Sequence, residues 1–224
     1  MMPPASTWSP RCRRSDLSPH PSRLCPVKGS FHSSLQSVDT LVLSAGHGDG
    51  DPGACHGPHR EADQAVTIVK EMAILMRPLL PNGALVTVPY DLGLKASVRW
   101  INERYSTKPG KKAWCIEIHR DSADTIKEPS ASLRCGLYRS TTCDSVAVAN
   151  AVCAEMVNRG ADSSSWVRSH QDRGSLHWIA AIRCMSHILE LGFMEGSNDP
   201  AHLSRLARIG AAGILKAFAG VRLS

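Results

Sequence analysis

Four residues in this chain have the types and placement to do chemistry: His47, Glu61, His119 and Glu190. His47 stands between Gly46 and Gly48 just after the apolar run Leu41, Val42, Leu43, and Glu61 follows fourteen residues later, beyond further glycines at 50 and 53. Val42 and Leu43 favour an extended backbone, and the glycines permit a tight loop in which an imidazole and a carboxylate can reach one ion. A loop histidine that is merely exposed fits the same residues. His119 repeats the arrangement at the carboxyl end of a second apolar run, Ala113 to Ile118. If the two runs are parallel neighbouring strands, both histidines arrive at one sheet edge, where open α/β sheets build their sites. Glu190 interrupts the apolar segment His187 to Phe193. A buried carboxylate is costly unless it pairs with a metal or a base or shifts its pKa. Pairing with Arg183, or exposure on an edge strand, is the alternative.

The elements that must position these residues can be read from periodicity. Glu61 to Met76 places Val66, Val69, Ala73 and Met76 at helical spacing, and Pro78 and Pro81 end the helix. Asn82-Gly83 turns the chain into a short strand over 84–88 that stops at Pro89. A second helix is expected over 92–105, with Leu94, Val98, Ile101 and Tyr105 in register, and a basic turn over 108–112. After the strand over 113–119, residues 136–138 form a further short strand, and 141–156 a third helix with Val146, Ala149, Val152 and Cys153 inward. A last helix over 200–218 aligns Leu203, Leu206, Gly210, Gly213, Ile214 and Ala217. Alternating strands and helices predict a single α/β domain, with a mostly parallel or mixed central sheet and helices on both faces.

Composition narrows the function classes. A length of 224 residues suits one domain with a proper core, or a domain plus a tail. Six of the fourteen prolines fall in residues 1–30 without a periodic apolar pattern, so residues 1–35 read as a disordered basic tail and 36–224 as the folded domain. That tail carries Arg11, Arg13, Arg14, Arg23 and Lys28 against Asp16 alone, which leaves the rest of the chain close to neutral within a net charge of +6. Weak attraction of the tail to anionic surfaces is therefore expected, and nucleic-acid binding is not. Arg205, Arg208, Lys216 and Arg222 permit a second, membrane-surface role for the last helix. No run approaches the roughly 20 apolar residues of a membrane span, and no apolar segment follows the basic N-terminus as in a secretory signal. Eight cysteines without CxxC pairs read as free thiols rather than a disulfide framework.

In four separated blocks the sequence resembles the zinc-dependent N-acetylmuramoyl-L-alanine amidases of bacterial autolysins and phage endolysins. The blocks are the strand with Gly46-His47-Gly48 and Asp51-Pro52-Gly53-Ala54, then Arg60-Glu61 opening a helix, then Ile118-His119 at a strand end, and finally Leu189-Glu190-Leu191-Gly192-Phe193 with Asn198-Asp199 shortly after. They run in the family's order over residues 40–220, and the four together are far more specific than any one.

The resemblance implies that His47, Glu61 and His119 bind zinc and that Glu190 is the catalytic acid/base. It implies hydrolysis of the amide between N-acetylmuramic acid and L-alanine in peptidoglycan, by a protein expected to be monomeric. A different zinc peptidoglycan hydrolase, a carboxypeptidase or an endopeptidase, and a non-catalytic wall-binding relative are the rival readings. The biological context it suggests is a phage endolysin that reaches the wall from the host cytoplasm. Arg120 and Asp121 depart from the family's small residue and Asn after the second histidine, and are expected beside the substrate groove. Glu195 is the reserve candidate for the acid. Glu117 shares the face of His119 but is expected to lie away from the open zinc position. His56 and His59 lie near Glu61 in sequence and read as loop residues near the mouth of the site. His170, His177, His187 and His202 read as surface or satisfied core residues.

Overall fold

A computed structural model describes residues 34–35, 37–105, 112–122, 132–221 and 223. Residues 1–33 of the predicted tail and 108–111 of the basic turn lie outside these residues, as do Cys12, Cys25 and Arg222. Leu35, at the expected domain boundary, is buried in the core, and the Ser34 hydroxyl donates to Asp144 at 2.9 Å.

The first strand, β1 (Thr40–Ala45), is buried on both faces, as its unbroken apolar run requires. A two-residue hairpin, β2 (Cys55–His56) and β3 (His59–Arg60), leads into helix α1 (Glu61–Met76). There follow β4 (Leu85–Thr87), α2 (Leu94–Tyr105), β5 (Ala113–Asp121), β6 (Cys135–Arg139), α3 (Cys143–Asn158) and β7 (Trp166–Ser169). The chain closes with α4 (His177–Ala181), β8 (Met185–Phe193) and α5 (Pro200–Ala219). Six strands form one sheet in the order β4-β1-β5-β8-β6-β7. All neighbours run parallel except β6 and β8, which are antiparallel. The expected α/β domain with a mostly parallel sheet is thus the fold that forms.

Two apolar layers cover the sheet. On one side α1, α3 and α5 bury Ile68, Met72, Met76, Val152, Leu206 and Ile214. On the other, Val98 and Ile101 of α2 and Trp178 and Ile179 of α4 pack on Val42, Cys115, Tyr138 and Ile188. The buried face of α1 takes in Val69, Ala73 and Met76 of the expected stripe together with Ala65, Ile68 and Met72, while Val66 is only partly covered. In α5 the small residues have a packing reason: a Cβ at Gly213 would lie 2.9 Å from the Val152 carbonyl oxygen, so glycine lets α5 approach α3 closely.

His187 is a satisfied core residue, as expected. The Trp114 indole N–H donates to its Nδ1 at 2.8 Å, while its Nε2 lies 3.0 Å from the Ser145 hydroxyl and 3.1 Å from the Ser145 carbonyl. An indole can only donate, so Nδ1 must accept and the ring stays neutral. Burial, against a weaker opposing contribution from Ser145, pushes its pKa down to about 4.

The linkage follows from that shift. As pH falls from about 6.5 toward about 4, the unfolded chain takes up this proton before the folded one does, so His187 costs stability at up to about 1.4 kcal/mol per pH unit in that window. Urea melts of wild type and His187→Asn across pH 4.5–7.5 should show the substitution removing this part of the slope. Parallel slopes would mean that His187 is charged in the folded protein.

Candidate metal centre

The centre is built where β1 and β5 end side by side. Their parallel register aligns Ser44 with Glu117 and Ala45 with Ile118, and the Gly46 N–H continues the ladder onto the Ile118 carbonyl at 2.8 Å. Beyond Gly46 the chain turns sharply: His47 has φ 65° and Asp49 φ 49°, a left-handed backbone that residues other than glycine seldom adopt. Reciprocal backbone hydrogen bonds between Gly48 and Asp51, both 3.1 Å, hold the loop shut. Two glycines are required by contact. A Cβ at Gly46 would lie 2.4 Å from the His119 ring, and one at Gly53 would lie 2.5 Å from the His47 ring and 2.8 Å from a Glu61 oxygen.

Glu61 opens α1, where the helix N-terminus favours negative charge, and is only 5% exposed. Its Oε2 accepts from the Ala54 N–H at 2.9 Å and lies 3.0 Å from His47 Nε2. Its Oε1 accepts from the Arg120 N–H at 3.1 Å and lies 2.8 Å from His119 Nδ1. Burial alone would raise its pKa, but the hydrogen bonds to His119 and then His47 reverse this and hold the carboxyl well below the usual range. The same bonds act on the imidazoles. His47 is raised despite burial by Glu61 and Asp51, and His119 is raised well above its ordinary value, against burial, by Glu117 and Glu61.

The residues present fit a cation. One ligand atom from each of His47, Glu61 and His119 lies within 4.8 Å of the others, a span that one ion with bonds of about 2.0–2.2 Å reaches after small side-chain shifts. Each histidine also has a carboxylate on its other nitrogen: Asp51 Oδ2 is 2.8 Å from His47 Nδ1, and Glu117 Oε2 is 3.1 Å from His119 Nε2. The second pair is within ion-pair distance but not aligned as a hydrogen bond, which leaves His119 Nε2 buried without a hydrogen-bond partner. Two nitrogens and an ionised carboxylate, backed by two more carboxylates, form a donor set that suits a divalent ion of intermediate softness such as zinc.

Glu190 faces this centre. It pairs with His119 on β5 and with Gly136 on β6, so β8 is an interior strand and the edge-strand alternative does not hold. Arg183, the other alternative, makes no ion pair among those described and lies before the strand begins. Glu190 Oε2 has no hydrogen-bond partner, and burial, opposed by His119, pushes the carboxyl up to about 7. A cleft of about 330 Å³ is lined by His47, Glu61, His119, Tyr138, Arg173 and Glu190 among others. A larger recess of about 530 Å³ lies beside the start of β1, but Asp39 is its only titratable side chain.

The neighbours of the centre divide by the face of the strand that carries them. Arg120 borders the cleft, as expected, but strand alternation turns its side chain away from His119, and it is 1% exposed. Its guanidinium donates to Gln64, Asn198 and the carbonyls of Leu191, Phe193 and Ser197, a strut tying β5 to α1 and to the segment before α5. Burial pushes its pKa down to about 10. Asp121 also lines the cleft. Glu117 shares the face of His119, as expected, and touches its ring, a contact for which the i, i+2 spacing on a strand was the available signal. Asp51 was legible only as a carboxylate in the same loop. Tyr138 and Arg173 carried no sequence signal at all. His56 and His59 sit on the β2–β3 hairpin, outside the metal-holding group, and Glu195 accepts a hydrogen bond from Ser122 rather than lining the cleft.

A sequence model described as N-acetylmuramoyl-L-alanine amidase matches residues 41–218. Among curated proteins none matches by sequence. Solved structures that share the fold include an N-acetylmuramoyl-L-alanine amidase from Clostridium difficile 630, with TM-score 0.64 and 17% identity over 80% of this chain and 96% of that one. The catalytic domain of CwlV from Bacillus (Paenibacillus) polymyxa var. colistinus gives 0.62 and 21%, over 80% and 97% of the two chains. The catalytic domain of the CD27L endolysin targeting Clostridia difficile gives 0.55 and 12%, over 79% and 97%. At these identities the likeness is one of fold.

Metal content separates the roles around His119. After dialysis, mass spectrometry of the metal should find none retained by His119→Ala, because a ligand is gone. Glu117→Gln should retain zinc with affinity weaker by about 10- to 100-fold, the usual effect of losing a carboxylate behind a metal-bound histidine. Wild-type affinity in Glu117→Gln would reduce that contact to packing, and stoichiometric zinc in His119→Ala would remove His119 from the ligand set.

Proposed function

The chain belongs to the N-acetylmuramoyl-L-alanine amidase family of peptidoglycan hydrolases, and from that premise we propose that it cleaves the amide joining the lactyl group of N-acetylmuramic acid to L-alanine. Zinc is held by His47, Glu61 and His119, and Glu190 is the acid/base. The observation that carries the reading is the convergence of those three ligand atoms with an unpartnered Glu190 carboxylate across one cleft. The chemistry such an ion supplies when bound is Lewis acidity, which polarises an amide carbonyl and makes water a competent nucleophile near neutral pH.

The protein's own groups do the rest. Glu61 and the two imidazoles are fixed by backbone donors and by Asp51 and Glu117, so they present a preset face to the substrate. Glu190 sits at the strand position opposite His119, with its pKa up at about 7, so it can accept and return a proton near neutral pH. As base it takes a proton from the attacking water while the water oxygen bonds to the lactyl carbonyl carbon. As acid it returns that proton to the L-alanine nitrogen as the carbon–nitrogen bond breaks. The products are a lactyl carboxylate and a free peptide amine.

We extend the reading to a phage endolysin that acts as a monomer on the wall after leaving the host cytoplasm. Its support is the fold shared with an endolysin catalytic domain.

Purified peptidoglycan digested with and without a chelator should yield new L-alanine amino termini and free muramic lactyl ends only without it, as read by mass spectrometry. New amines inside the stem peptide would identify an endopeptidase or carboxypeptidase instead. Glu190→Gln keeps the shape but moves no proton, so turnover should fall by about 100- to 10,000-fold with zinc content unchanged. Turnover that survives in Glu190→Gln but is lost in Glu195→Gln would reassign the acid.

A further inference from the structure

The cleft has a second wall that the proposed hydrolysis leaves unused, made by Tyr138 and Arg173. Tyr138 pairs with Ile188 in the β6–β8 register, two residues from the Gly136–Glu190 pair, so it stands on the same sheet face as Glu190. It is held rigidly. Trp166 packs edge-on against its ring with centroids 4.8 Å apart, and occupies space that any side chain at 136 would fill, since a Cβ there would lie 2.2 Å from the indole. Tyr138 is 3% exposed, and its hydroxyl, which faces the Arg173 guanidinium, makes no hydrogen bond of good geometry. A buried phenol left unpaired at the wall of a cleft is a donor waiting for a ligand.

Arg173 lies above it, with the guanidinium carbon 5.9 Å from the ring centroid. The turn that carries Arg173 is built in place. Ser169 caps it by accepting from the Gln171 N–H at 3.2 Å, and Asp172 accepts from the Ser169 N–H at 3.2 Å. Gly174 at φ 72° and Ser175 at φ 71° then turn the chain away. A left-handed serine is a strained arrangement of the kind that gathers at binding sites. Arg173 forms no ion pair among those described, whereas the donors of the other arginine at the cleft, Arg120, are taken up inside the protein.

A guanidinium fork beside a phenol hydroxyl is a carboxylate receptor, because the fork offers two parallel donors and the hydroxyl a third. The substrate has charge on one side of the scissile amide only. The muramic acid side is a neutral sugar ether, whereas on the peptide side the second stem residue, a γ-linked glutamate, carries a free α-carboxylate unless it is amidated. We propose that Tyr138 and Arg173 form a subsite for that carboxylate, so that the enzyme favours stems with a free acid at the second residue over stems with an amide there. This rests on the amidase reading, and it adds the side of the cleft on which the peptide lies.

The test uses the full chain purified with zinc and two soluble muramyl tripeptides that differ only in acid or amide at the second residue. Wild type should favour the acid by about 10- to 100-fold in kcat/KM, carried by KM, as expected for a charge-assisted hydrogen-bonded pair. In Arg173→Gln the ratio should collapse toward one, Arg173→Lys should restore part of it, and Tyr138→Phe should lower it. A merely structural role would slow both substrates alike and leave the ratio standing. Calorimetry with the dipeptide L-alanyl-γ-D-glutamate and its amide gives a readout independent of catalysis, in which wild type binds the acid more tightly and Arg173→Gln does not discriminate. Equal cleavage of acid and amide by wild type, or an unchanged ratio in Arg173→Gln, overturns the subsite and leaves the amidase standing. No cleavage of either substrate, with charge-selective dipeptide binding retained, overturns the amidase reading and keeps the subsite. Loss of both removes both.

Discussion

Everything at the candidate site depends on one carboxylate. Glu61 is buried at the start of a helix and bridges an imidazole delivered by the loop after β1 to another delivered by the end of β5, while backbone N–H groups of Ala54 and Arg120 fix its two oxygens. A charge this buried is tolerated only because every direction in which it points meets a donor. That condition reaches far into the fold. It needs β1 and β5 to lie parallel and in register, the loop from Gly46 to Gly53 to curl without side chains at its two closest approaches, and α1 to begin where its first turn faces the strand ends.

The sheet then sorts the remaining groups by alternation. Glu117 and His119 project to one face of β5, joined there by Glu190 from β8 and Tyr138 from β6, whereas Arg120 projects to the other and locks β5 to α1 and to Asn198. The cleft is therefore a consequence of strand order. Placing β8 between β5 and β6 puts a carboxylate opposite His119 and a tyrosine beside that carboxylate, and the loop after β7 brings Arg173 over the same opening. The proposed metal-binding edge, the proposed proton-transfer group and the arginine of the far wall follow one another across neighbouring strands.

Rigidity comes from the layers beneath. Gly210 and Gly213 let α5 sit close against Leu191 of β8 and against α3, and the neutral His187 ties Trp114 of β5 to the start of α3. Both contacts fix the strands that carry His119 and Glu190. A site whose groups must meet within a few ångströms gains from such support, because small displacements weaken oriented catalytic contacts.

The sequence alone determined the parts of this protein that obey local rules. Apolar runs ending at His47 and His119, helical spacing over 61–76 and 200–218, and proline and glycine stops depend on side-chain and backbone preferences a few residues apart, and the α/β class follows from their alternation. Family-like blocks around His47, Glu61, His119 and Glu190 were legible for the same reason, since each is a short contiguous pattern. The β2–β3 hairpin, β7 and α4 were not legible, because so few residues show no period and none of these is bracketed by a turn signal and a proline stop as β4 is. Contacts across elements were decided only by the tertiary structure. Arg120 borders the cleft but turns its side chain inward because α1 and the segment before α5 supply acceptors for it, and the contact of Glu117 with the His119 ring, on the face the two were expected to share, needed the folded strand. Tyr138 and Arg173 share the cleft because β6 runs antiparallel beside β8. Which strands become neighbours is set by the burial of whole faces, a sum over residues far apart in the chain, and no local pattern carries that sum.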